Sequence, residues 1–139
     1  MSEATMRSAI EFQLKQACDQ MSPPVPFIFE DTKATKPQKG AYVTMAILEG
    51  DSRRANLGGK RTVRSVGILQ IDCMYPKDSG MGPVTRLGSA CGKVFDEWVK
   101  SLPDNATVHF RTPKSVNLGL QGEHQRVCVS IPYWRDERE

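Results

Sequence analysis

The sequence predicts an α+β domain: a mainly antiparallel sheet with two amphipathic helices packed on one face. Three observations predict it. Residues 62–75 alternate, with Val63, Gly67, Leu69, Ile71, Cys73 and Tyr75 on one side and Arg64, Gln70 and Asp72 among the other set. A strand sends successive side chains to opposite faces, so this run reads as a strand with one apolar and one wet or partner-facing side. Its β-branched Val63, Val66, Ile68 and Ile71 suit the pleated form. Two other segments, residues 4–20 and 83–102, repeat apolar residues every three or four positions, the period of a helix. The order helix, strands, helix, strands then gives the helices one sheet face to cover.

Taken in order, the first helix spans about residues 4–20, with Met6, Ile10, Leu14, Ala17 and Met21 in one stripe. Ser22-Pro23-Pro24 ends it, because a residue preceding proline is pushed out of the α region. Residues 27–30 read as a short edge strand, since prolines at 23, 24 and 26 cannot donate to a ladder. Residues 31–40 read as a loop. Residues 41–49 form the next strand, with Val43, Met45 and Ile47 alternating against Tyr42, Thr44 and Ala46. A long polar loop, about 50–61, joins it to the strand at 62–75, which at that length is expected to be central.

Beyond a loop at 76–83, Pro83 suits the first turn of the second helix. Val84, Leu87, Cys91, Val94, Phe95, Trp98 and Leu102 make its apolar face, and Pro103-Asp104-Asn105 stops it. Val108 and Phe110, then Val116, Leu118 and Leu120, resume the alternation of strands. Gly122 marks a turn into a last strand lined by Val127, Val129, Ile131 and Tyr133. The charged residues 135–139 read as a flexible tail.

The 139 residues fit a single domain, 1–139, able to bury roughly two-thirds of its unfolded surface. No apolar run reaches the length of a membrane span, and no signal-peptide core opens the chain, so no membrane partner is expected. Cys18, Cys73, Cys91 and Cys128 are too far apart for a Cys-x-x-Cys pair and read as reduced core thiols in a cytosolic setting.

Chemistry is sparse. Gly58-Gly59-Lys60 is not a phosphate loop, because Arg54 stands where its first glycine belongs and Arg61 where a magnesium-binding hydroxyl belongs. Gly80-Met81-Gly82 lacks the third glycine of a dinucleotide fingerprint, since position 85 is Thr85. His109 and His124 have no nucleophile elbow, zinc motif or carboxylate pair beside them and read as satisfied or solvated histidines. Asn105-Ala106-Thr107 reads as turn chemistry. No catalytic residue, no metal ligand and no cofactor site is assigned, and no enzyme activity is expected.

The one cluster that stands out is basic: Arg53, Arg54, Lys60, Arg61 and Arg64, which read either as a solvated loop or as candidate protein-interface residues that contact an anionic surface. A net charge of +3, from 19 basic and 16 acidic residues, is too small to imply a polyanion partner. The cluster has no interleaved aromatics to stack bases, so any DNA binding is expected to be weak, salt-sensitive and without sequence specificity.

Taken together, the pattern resembles the tail terminator-like proteins of long-tailed bacteriophages. The resemblance covers nearly the whole chain. It runs from the first helix and Pro24-Val25-Pro26-Phe27 through Ala41-Tyr42-Val43, the long loop and Gly67-Ile68-Leu69-Gln70-Ile71. It continues through Val94-Phe95 to Ser130-Ile131-Pro132-Tyr133. The resemblance implies a non-enzymatic α+β subunit that assembles as a homo-oligomer, usually a hexameric ring, on the finished tail tube. There it would contact the major tail tube protein, stop polymerisation and face a head-side connector protein. Its place would be the head-proximal end of the virion tail, after assembly in the host bacterial cytoplasm. A head–tail connector or neck adaptor of the same virion is the main alternative, and a small basic nucleic-acid-binding protein the lesser one.

Overall fold

The structure, a computed structural model, describes residues 2–21, 25–28, 40–54, 62–96, 98–101 and 106–138. The expected loop at 31–40 lies almost wholly outside the described residues, as do 55–61 of the long loop. Of the expected edge strand at 27–30, the described part contributes one parallel bridge, Phe27 to Val43.

Helix α1 (Ser2–Asp19) has Met6, Ile10, Leu14 and Cys18 fully buried, four residues apart and therefore on one stripe. Phe12 lies on the other side, exposed. Strand β1 (Tyr42–Arg54) runs five residues further than expected, because 50–54 continue past a bulge between Glu49 and Ser52 to pair with 63–65. Strand β2 (Thr62–Pro76) pairs with β1 on one side. A 3-10 turn, Lys77–Ser79, leads into helix α2 (Met81–Phe95).

Helix α2 is shorter than the sequence predicts. Asp96 leaves the helical region with φ −63° and ψ 115°, and Val99–Ser101 forms strand β3. Trp98 keeps its expected place against the core but not on the helix. Its ring lies 5.4 Å from Phe95 and 5.5 Å from Phe110. Phe110 donates its backbone N–H to the Trp98 carbonyl at 2.9 Å. The aromatic cluster thus draws the chain off the helix axis and into the sheet.

Among the described residues, strands β4 (Ala106–Phe110), β5 (Lys114–Gln121) and β6 (His124–Arg138) complete a six-stranded antiparallel sheet, ordered β1-β2-β6-β4-β3 with β5 also on β6. The hub is β6 rather than β2. It pairs with β2 over the whole length of that strand, and β5 and β4 divide its other edge between them. Residues 135–138, expected as a flexible tail, are part of this ladder: Asp136 pairs with Arg64 and with Thr107. Residues 135–137 are paired on both sides, and backbone groups so satisfied have no reason to fray.

The two helices share the inner sheet face. Helix α2 packs on β6 and β2, and α1 packs on α2. Gly88 allows the close approach, because a Cβ there would come within 2.9 Å of a Val127 methyl. The core between helices and sheet holds Val43, Met45, Leu69, Ile71, Cys73, Val108, Val129 and Ile131, all at or near zero exposure. Those from β2 and β6 are the residues that period-two alternation assigns to the apolar side.

Candidate interaction surface

Among the described residues no helix covers the other sheet face, and its side chains follow from the register. One rung crosses Leu48, Ile68 and Pro132, and the next crosses Val66, Trp134 and His109. Leu48, Val66 and Ile68 are 47%, 41% and 39% exposed, an apolar patch across adjoining strands. A third rung holds Arg64, Asp136 and Thr107.

Trp134 is the centre of this surface. The His109 imidazole stacks on its indole at 4.8 Å and 7°. The guanidinium of Arg111 lies 4.9 Å from the ring centroid and that of Arg64 lies 5.6 Å away. Such cation–π contacts favour a cation held close to the ring. Two shallow depressions, of about 390 and 640 Å³, meet along Arg111, Pro132 and Trp134.

Arg64, the one candidate interface residue whose side chain is described, donates two hydrogen bonds to Asp136, Nε to Oδ1 at 2.7 Å and Nη2 to Oδ2 at 2.9 Å. That bidentate pair holds the Asp136 carboxyl below the usual carboxylate range and raises the Arg64 guanidinium further. The charge of Arg64 is therefore engaged within the fold. Arg53 stands opposite Arg64 in the register and Arg54 opposite Val63. Lys60 and Arg61 lie outside the described residues.

The sequence does not single out Trp134 or Arg111, and it reads His109 as a satisfied or solvated histidine, not as the partner of an indole. The available signal was Trp134 itself, an aromatic on the polar side of an alternating strand and next to an arginine. His124 is satisfied, with Nε2 2.9 Å from the Gly40 carbonyl and its ring edge-to-face with Tyr42 at 5.1 Å. Burial raises the Tyr42 phenol above its ordinary value. Among the described residues, no cluster of histidine, cysteine and carboxylate side chains could hold a metal ion. All four cysteines are free and buried.

The family described as phage tail terminator protein matches residues 5–133. The chain belongs to that family. It is a structural protein of a bacteriophage tail, as the resemblance implied. A comparison with curated proteins found no match. One solved chain superposes on this tail terminator family member with a TM-score of 0.76 at 20% identity, over 97% of this chain and 96% of that one. At that identity the likeness shows a shared fold.

Proposed function

We propose that the protein caps the tail tube, stops its polymerisation and offers the surface to which the head-side connector joins. It would act as a homo-oligomer, a hexameric ring, at the head-proximal end of the tail. The observation that carries this reading, beyond family membership, is the one-sided sheet. One face is sealed by two helices, and the other presents Leu48, Val66 and Ile68 beside a tryptophan–arginine cluster. Burying such a patch between subunits is a recurrent use of exposed apolar surface, and Trp and Arg are the residues that anchor interfaces. Arg53, Arg54, Lys60 and Arg61 are proposed to meet acidic groups of the tube or of a neighbouring subunit. Purified tube protein, allowed to polymerise with and without this chain, tests the reading by negative-stain length measurement. Tubes of bounded length bearing a terminal ring support it. Unchanged tube lengths and bare ends reject it.

A further inference from the structure

The outer groove around Trp134 is lined by the guanidiniums of Arg64 and Arg111. Among the described residues, neither Arg111 in the groove nor Lys114, which lies opposite Ser130 four residues along β6 from Trp134, meets a carboxylate, whereas Arg64 is held by Asp136. At the opposite end of β6 the surface has the opposite character. The β5–β6 hairpin turns at Gly122 (φ +64°) and Glu123, next to the 3-10 turn that carries Asp78. The Lys77 N–H donates to the Glu123 carbonyl at 3.0 Å, tying the two turns into one tip. Glu123 reaches Lys77 at 3.4 Å but stays 65% exposed, and Asp78 has no cationic partner among the described residues. Leu120, beside this tip, is 63% exposed.

We propose that the groove at Trp134 and Arg111 receives the hairpin tip of a second copy of this chain, with Leu120 set against the apolar patch and Asp78 and Glu123 facing Arg111 and Lys114. This inference rests on the ring-forming reading above and names the contact that builds the ring. Trp134 and His124 are ten residues apart on β6, about 33 Å along the strand, so a tip cannot enter its own groove. Two different patches at opposite ends of one subunit make a head-to-tail contact, the kind that forms a ring where the rotation between subunits closes. A nucleic-acid occupant fits less well, because the Trp134 ring is already stacked on His109 and flanked by two guanidiniums.

Analytical ultracentrifugation of the full chain tests the contact. Arg111→Glu alone, and Asp78→Lys combined with Glu123→Lys, should each raise the concentration for half-association about tenfold or more. An equimolar mixture of the two variants should restore association, because acidic tips then meet unaltered grooves and lysine-bearing tips meet reversed ones. As an independent readout, a chain with both Thr112→Cys and Glu123→Cys, oxidised by diamide, should give a ladder of disulfide-linked oligomers. Either single variant, with the buried native thiols, should give no ladder. The cross-link decides the matter if a charge variant fails to fold. Unchanged association of the charge variants, no restoration on mixing, or no ladder overturns the contact. If charge variants associate normally but lose tube capping, the groove belongs to the tube protein, and the contact fails while the capping reading stands. If the unaltered chain neither associates nor bounds tube length, both fall.

Discussion

The hydroxyl of Tyr133 lies over Gly67, where a Cβ on the glycine would come within 2.5 Å of the oxygen. The two residues are direct partners in the β2–β6 ladder, and the same Cβ would stand 2.7 Å from the Leu48 carbonyl. A side chain at position 67 thus meets a buried ring and a neighbouring strand's backbone at once.

Gly67→Ala should therefore destabilise the protein by about 1–3 kcal/mol, the usual cost of overpacking. Chemical denaturation of the variant checks it. Removing the ring with Tyr133→Ala in the same chain should not rescue stability, because the Leu48 carbonyl remains in the way and a cavity is added.

The Arg64–Asp136 pair predicts a pH dependence. The folded-state value of Asp136 lies below its unfolded one, held there first by the hydrogen bonds from Arg64. Its contribution is thus fully present above the ordinary carboxylate range and lost as pH falls through the depressed value. Asp136→Asn should cost about 1 kcal/mol at neutral pH, modest because Arg64 is partly exposed. The gap between parent and variant melts should shrink as acid protonates the parent's carboxyl.

The thiols should be silent in the folded protein. Cys18 is pushed well above the ordinary thiol value by its hydrogen bond with Cys91 and by burial, and burial also raises Cys128. A thiolate is the reactive form, so at pH 8 an aromatic disulfide reagent should label almost nothing. In guanidinium all four cysteines should react. Fast labelling of the folded chain would show that one of them is accessible.

Replacing residues 55–60 by a short Gly-Ser turn should leave the melting temperature nearly unchanged. The β1–β2 ladder continues to Arg54 opposite Val63, so the ends to be joined are already neighbours. The same change should impair ring assembly and give tails of uncontrolled length, if the basic loop contacts a partner. An unfolded variant would make the segment structural, and normal tail termination would reduce it to a connector.

Local patterning settles which residues are strand and helix over most of the described chain, and which side of each is buried. Leu69, Ile71 and Cys73 on β2, and Met6, Ile10 and Leu14 on α1, are fully buried as their periods of two and four require. Those assignments are legible because burial of one face imposes a repeat on neighbouring residues, and the repeat is local. The tertiary structure alone decided the rest. That α2 ends at Phe95 depends on Trp98 meeting Phe110 from a later strand, although Trp98 also fits the helical repeat. That 135–138 is strand rather than tail depends on pairing with β2, where Asp136 meets Arg64, 72 residues away in the chain. The tryptophan–arginine surface gathers Trp134 from β6, His109 from β4, Arg64 from β2 and Arg111 from beyond Phe110. None of these residues lies within one period of all the others, so only the register of the finished sheet could place them together.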